Sequence, residues 1–367
     1  MSKNNKVTPP EAIDERSVDT IKKPSILQDA QLLETTTDDI DQPSSVILPQ
    51  ENLKISSDLA QTTIDRLATL SELDYELQRT ETAKSLNNMS VRSLDKLVKK
   101  AKSKIKSETS ESLVVDTEPY SEPVSDIASV ADQIYQILDD HIACTHAVKV
   151  ATTLWILMTW FIPASHILPI AWINAPERRC GKSTLLTLMS RMSKRSLSTS
   201  NITGSALFRS IESYKPTLFI DEIDTFINDN ESIRGVLNAG HSRDNPYIIR
   251  CVGDDNEPLL FNVFGAKAIS GIGKIPSTLI DRSIPLTLRR KMRDETKKRV
   301  RDLPLDVTSM IQSQLARWSD DNLQVVKDAK PVLPVTINDR AQDNWQILFK
   351  IAMILSDDWL EKAHRAC

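Results

Sequence analysis

The run Ile170-Ala171-Trp172-Ile173-Asn174-Ala175-Pro176-Glu177-Arg178-Arg179-Cys180-Gly181-Lys182-Ser183-Thr184-Leu185-Leu186-Thr187-Leu188-Met189 decides the fold. Its first five residues are apolar and read as a buried parallel strand. Ala175 to Cys180 reads as a tight turn, and the leucines that follow read as a helix. Strand, turn, Gly-Lys-Ser and helix together are the setting of a phosphate-binding loop. In such a loop, backbone N–H groups and a helix N-terminus face the phosphates. Lys182 is expected to reach the β- and γ-phosphates, and the Ser183 hydroxyl to take a place on Mg²⁺. The nucleotide-binding set is therefore Pro176, Glu177, Arg178, Arg179, Cys180, Gly181, Lys182, Ser183 and Thr184. Pro176 stands where the motif has glycine; its ring fixes φ near about −65°, so the turn starts in an ordinary conformation.

Thr217-Leu218-Phe219-Ile220-Asp221-Glu222 is a second short apolar strand, ending in two carboxylates. A parallel strand buried on both faces has this composition, and ligands of α/β sheets bind at the carboxyl ends of strands. Asp221 is expected to hold Mg²⁺ through water. Glu222 is expected to orient and deprotonate the attacking water. The plainer reading is an amphipathic strand that runs into a helix-capping Asp. The phosphate-loop pattern upstream favours ATP with Mg²⁺.

Working outward, 367 residues leave room for two domains, and a net charge of −4 excludes a basic nucleic-acid coat. All eight glycines lie between Gly181 and Gly273, and all six tryptophans at or after Trp155, so the second half carries the packed core. Cys144, Cys180, Cys251 and Cys367 form no C-x-x-C pair, which argues against a disulfide framework and a zinc site. The polar N-terminus reads as no signal peptide, which points to the cytoplasm. The apolar stretch 147–172 contains Lys149, Pro163 and His166. It is expected to break into a core helix (144–160), a turn and a strand (168–174) rather than cross a membrane.

Five regions are expected. Residues 1–57 are rich in Asp, Glu, Ser, Thr, Gln and Pro without a period, and read as a disordered tail. Residues 58–106 read as three short helices of helix-turn-helix size, with Ser71 and Ser90 as caps. Their apolar positions are Ile64, Leu67 and Leu70, then Leu73, Leu77 and Leu86, then Leu94, Leu97, Val98, Ala101 and Ile105. The last helix carries Lys96, Lys99, Lys100, Lys102, Lys104 and Lys106. These suit DNA phosphates and equally suit a solvated helix C-terminus. Residues 107–124 read as a linker, 125–290 as the α/β core and 291–367 as a helical lid.

Within the core, 195–202 can form a strand, 205–213 a helix, and 231–240 another helix. Residues 247–252 and 259–268 read as a hairpin-like pair, the second arm running on through Ser270. The hairpin tip is acidic (Asp254, Asp255, Glu257), which argues against direct contact with DNA phosphates. Ser270 is the candidate polar residue that senses the γ-phosphate. Arg282 stands just before the final strand, where ring-forming motors place an arginine finger aimed at a neighbour's ATP. Its plain alternative is a salt bridge with Asp281 or Glu222. Arg289, Arg290, Lys291, Arg293, Lys297, Lys298, Arg299 and Arg301 form a basic run, either a solvated face or a DNA-facing surface. Arg340, opening a helix, can reach back to the γ-phosphate as a second sensor or lie on the surface along Trp345.

Several of these stretches resemble a family of P-loop ATPase domains of bacteriophages, prophages and mobile elements, often found behind primase-like modules. The resemblance is carried by Asn174 through Ser183, Asp221-Glu222-Ile223-Asp224-Thr225-Phe226, Leu237-Asn238-Ala239-Gly240-His241, Gly265-Ala266-Lys267-Ala268-Ile269 and Asp339-Arg340-Ala341-Gln342-Asp343-Asn344-Trp345. Upstream, Arg66 to Ser71 and Leu94 to Val98 also match, so it spans roughly 59–106 and 125–367. It implies that Pro before the loop is ordinary. It also implies a helicase-like role in replicating an element, akin to AAA+ and superfamily 3 motors. The partners implied are single-stranded or forked DNA, other copies of the chain (a hexameric ring among the forms), and a primase on a separate chain. The alternative is an ATP-switched DNA-binding initiator; Glu222 favours hydrolysis, since a binding switch needs no general base.

Overall fold

The computed structural model describes residues 57–109, 113–252 and 256–367. The tail expected over 1–57 lies, except for Ser57, outside the described residues, as do Asp254 and Asp255 of the hairpin tip. Two compact units divide the chain after Ala101.

The first unit holds α1 (Ser57–Ala68), α2 (Glu72–Ser85) and the start of α3 (Val91–Thr109). The Ser71 hydroxyl accepts from the Asp74 amide and Ser90 from the Ser93 amide, so both expected caps open their helices. Ile64, Leu67, Leu86, Leu94 and Val98 are buried. Leu73 and Leu77 are not: they are 71% and 73% exposed, and α2 turns Tyr75 and Ala83 inward instead. The Tyr75 hydroxyl donates to the Asp95 carboxylate at 2.6 Å, which ties α2 to α3 and sets which face of α2 is covered.

The second unit begins with α4 (Ile127–His141) and α5 (His146–Met158). Then follow β1 (Ile170–Ala175), α6 (Lys182–Met192), β2 (Ser196–Thr199), α7 (Gly204–Tyr214), β3 (Thr217–Ile220) and α8 (Glu231–Ala239). Next come β4 (Tyr247–Val252), β5 (Glu257–Asn262), β6 (Lys267–Ile272), α9 (Ser277–Ile280) and β7 (Ser283–Thr287). Three helices finish it: α10 (Leu305–Asp328), α11 (Asp339–Leu355) and α12 (Asp357–Ala366). Five strands form a parallel sheet in the order β2-β3-β6-β1-β7.

Helices cover both faces of the sheet, and side chains alternate between them along each strand. Ala171 and Ile173 of β1 join one core with α4, α5, α6, α10, α11 and α12. Ile170 and Trp172 join the other, with α7 and α8. The apolar stretch 147–172 is thus α5 and β1 of a buried core. Among the described residues no helix is long and apolar enough to cross a membrane. The C-terminal helices expected to form a lid are built into the first core together with α4 and α5. Residues 113–124, read as linker, run along α10: the Tyr120 amide donates to the Ser313 carbonyl, and Arg317 to the Ser121 carbonyl.

The second arm of the hairpin does not continue into the sheet. β4 and β5 form their own antiparallel pair, and the chain breaks at Val263–Ala266 before β6. Lys267 makes the break. Its fully buried ammonium donates to the carbonyls of Gly240, Val263 and Gly265 at 3.1, 3.0 and 2.7 Å. Carbonyls turned toward that lysine are lost to a strand ladder.

Candidate functional site

At the carboxyl ends of β1, β3 and β6 lies a cleft of about 550 Å³. It is lined by Arg178, Arg179, Gly181, Lys182, Ser183 and Thr184 from one side. Asp221, Glu222, Asp224 and Thr225 line it from the second, and Gly271 and Ile272 from the third.

The first wall is the turn from β1 into α6. Arg179 and Gly181 both hold left-handed backbone, at φ of 65° and 88°. Successive amides around such residues turn inward and form an anion-binding concavity. Gly181 caps α6 without any side chain, so no cap occupies the first-turn N–H groups at the cleft. Lys182 reaches toward the Glu177 carbonyl at 3.5 Å. Pro176, Glu177 and Cys180 form the turn without lining the cleft: Glu177 sits 3.7 Å from Arg290, and Cys180 is buried beneath.

The second wall leaves β3. Glu222 takes φ of 53°, a left-handed conformation that costs a residue with a Cβ about 1–2 kcal/mol. The next three residues form a short 3-10 turn anchored by buried Ile223. This kink swings Glu222 out of the strand line and brings Asp224 and Thr225 round to the same cleft. The Asp221 carboxylate accepts from the Glu222 amide at 2.9 Å and also from the Ser270 hydroxyl. Ser270 is completely buried, so it holds Asp221 rather than facing the cleft.

The third wall is the end of β6. A Cβ on Gly271 would come within 2.6 Å of the Asp224 carboxylate and 2.9 Å of the Trp172 ring. Glycine there lets Asp224 lie against the strand end. Asp224, Thr225, Gly271 and Ile272 were not among the residues expected from sequence. The signal for the first two was their place within one turn of Glu222.

Arg282 and Arg340 are not in this cleft. Arg282 precedes β7 at the opposite, amino end of the sheet, where its carbonyl accepts from the Ile170 amide at 2.9 Å. Its guanidinium donates to the Thr278 carbonyl at 2.7 Å. Arg340 lies on the first turn of α11. One turn later, buried Asn344 donates to the Asp281 carbonyl at 2.9 Å and pairs with His241 at 2.8 Å. Arg340 is exposed and does not line the cleft, as its surface alternative expects, and its charge bears on Arg282. Burial draws His241 down to about 4, with the charges of Arg282, Arg340 and Lys267 acting the same way against the Asn344 hydrogen bond.

Part of the basic run 289–301 is tied down: Arg289 pairs with Glu295, Lys298 with Asp140, and Lys297 donates to the Asp139 carbonyl. The two lysines strap the run to the end of α4, while Arg290, Lys291, Arg293, Arg299 and Arg301 stay exposed. Among the described residues no group of three or more His, Cys, Asp or Glu stands close enough to hold a metal by itself. Ser183 and Asp221, an oxygen pair on facing walls, suit a hard cation that takes its other ligands from phosphate and water.

Residues 287–367, from the end of β7 through α12, match a family described as a protein of unknown function (DUF3631). None of the cleft-lining residues falls within that match. The comparison with curated proteins gives no match.

Proposed function

We propose that the cleft binds ATP and hydrolyses it, and that the chain is the motor of a helicase-like DNA-replication assembly. The observation that carries the reading is the meeting, in one cleft, of an uncapped helix N-terminus bearing Lys182 and Ser183 with Asp221 and Glu222. A P-loop supplies the first pair, and an acidic strand end supplies the second.

The first-turn amides of α6 bind the phosphates, with Lys182 on the β- and γ-phosphate oxygens. Ser183, and Asp221 through water, would hold Mg²⁺, which would neutralise charge on the β- and γ-phosphates. Glu222 takes a proton from water as its oxygen bonds to the γ-phosphorus. The bond from that phosphorus to the bridging oxygen breaks, and ADP leaves with the electron pair. Ser270 keeps Asp221 fixed. Arg282, at the far end of the sheet, serves a neighbouring copy, so the active form is an oligomer, with a ring as the closed arrangement.

DNA, single-stranded or forked, is the track, and the lysines of α3 are its candidate phosphate contacts. A separate primase and a cytoplasmic setting complete the reading. The test is ATP turnover by the full chain with and without single-stranded DNA. Turnover that rises on adding DNA supports a motor. Turnover indifferent to DNA, with DNA binding that instead requires ATP, returns the chain to an initiator switch.

A further inference from the structure

The turn between β1 and α6 carries more positive charge than a phosphate loop requires. A lysine alone serves the β- and γ-phosphates in such loops. Beside Lys182, however, Arg178 and Arg179 line the same cleft. Both arginines are exposed, and among the described residues neither is in an ion pair. A guanidinium presents a planar fork of donors that takes phosphate oxygens two at a time. Arg179 also holds the left-handed place in the turn, at φ of 65°. That conformation costs a residue with a Cβ about 1–2 kcal/mol, and glycine would avoid it. Strain of this kind collects where a side chain is put to use.

What the cleft offers a phosphate it does not offer a base. Ligand pockets are commonly lined by apolar and aromatic side chains, with a few placed polar groups. This one reverses the proportions. Of its twelve lining residues six are charged, three carry a hydroxyl, two are glycine and Ile272 alone is apolar, so no ring stands ready to stack on a base. Around the turn the space is taken. Ile142 stands 3.8 Å from where a Cβ of Gly181 would lie, and Cys180 is buried. On the outside, Glu177 faces Arg290, their side chains 53% and 60% exposed, a solvated pair rather than a slot. Strong discrimination between related ligands needs buried polar groups that the wrong ligand leaves unpaired. The charged groups lining this cleft address phosphate and cation instead.

We propose that the cleft recognises the triphosphate with its Mg²⁺ and not the base, with Arg178 and Arg179 as the clamp that sets this preference. The substrates are then nucleoside triphosphates of any base, and inorganic triphosphate competes for the same place. This rests on the nucleotide reading above and widens its substrate class.

The experiment displaces labelled ATP from the full chain in the presence of Mg²⁺. GTP, CTP and UTP should each compete within about tenfold of unlabelled ATP, a span of about 1.4 kcal/mol. Inorganic tripolyphosphate should compete as well, whereas adenosine and AMP at the same concentrations should not. Arg178→Ala and Arg179→Asn are the variants, asparagine being able to take left-handed backbone. Each should melt as wild type does and bind every triphosphate more weakly by one common factor, about 10–10²-fold, as lost hydrogen bonds to a charged group do. If Arg179→Asn does not fold, Arg178→Ala decides alone. A preference for ATP beyond about tenfold over any other base would show that the base is read, and would overturn the proposal. So would tripolyphosphate that fails to compete, or unchanged affinity in both variants. A variant that loses ATP but keeps tripolyphosphate would overturn it too, since the arginine would then lie on the base. The nucleotide reading itself falls on a different result, a wild-type chain that binds none of the probes, ATP included.

Discussion

The Ser270 hydroxyl donates to the Asp221 carboxylate, joining the carboxyl ends of neighbouring strands β6 and β3. A carboxylate held this way keeps its other oxygen and remaining lone pairs for a cation. Removing an outer partner of a metal-binding group lowers metal affinity about 10–100-fold. Ser270→Ala should therefore raise the Mg²⁺ concentration needed for half-maximal turnover by about tenfold. Metal-free ATP binding should stay unchanged. An unaltered Mg²⁺ dependence would show that Asp221 does not hold the cation.

Gly271 is the point where β6 meets Asp224 and Trp172, and a methyl group has no room there. Overpacking of this kind costs about 1–3 kcal/mol. Gly271→Ala should lower the urea midpoint accordingly and weaken ATP binding, because Asp224 must move. A midpoint equal to wild type would mean that the wall yields without cost.

Lys267 gives the folded protein a particular pH response. Burial lowers its pKa from the ordinary 10.5 to about 7. Below that value folded and unfolded chains both carry the proton. Between about 7 and 10.5 only the unfolded chain does, so the unfolded state binds more protons and stability rises with pH. Denaturant midpoints should climb across that window, and Lys267→Met should flatten the climb. Parallel slopes for the two proteins would place the proton elsewhere.

Tyr75 and Asp95 hold α2 to α3 in the first unit, at 2.6 Å. Burial first, and then the Asp95 hydrogen bond and charge, raise the Tyr75 pKa, so its hydroxyl keeps its proton. A hydrogen bond to a charged acceptor contributes about 1.5–3 kcal/mol. Tyr75→Phe should destabilise the helical module by about that much in chemical denaturation. No change would assign the contact to the surface alone.

The strands and caps were legible because local rules govern them. β1 reads as a buried strand since Ile170 to Ile173 are apolar on both faces, and both faces are covered. Ser71 and Ser90 cap because a hydroxyl three residues before an amide can reach it. Long-range choices were hidden. Nothing near Lys267 shows that three carbonyls wait for it, and without that knowledge 259–268 looks like one strand. Leu73 and Leu77 carry the apolar signal of α2, but the Tyr75–Asp95 bond turns another face inward. The basic run reads from sequence as a solvated face or a DNA-facing surface, and its contacts to Asp139 and Asp140, far upstream, are not legible there. Of the two readings of Arg340, sequence could not choose, because what lies beside the start of α11 is set by the contact of Asn344 with Asp281, distant in the chain.

The most direct measurement is single-turnover hydrolysis of ATP·Mg²⁺, alongside equilibrium ATP binding, for wild type, Lys182→Ala and Glu222→Gln. Lys182→Ala should lose binding, since the point charge on the β- and γ-phosphates goes with it. Glu222→Gln should bind as wild type does and hydrolyse about 10²–10⁴-fold more slowly, the loss expected when a general base is removed. Wild-type rates in Glu222→Gln, or unchanged binding in Lys182→Ala, would contradict a hydrolytic nucleotide site in this cleft.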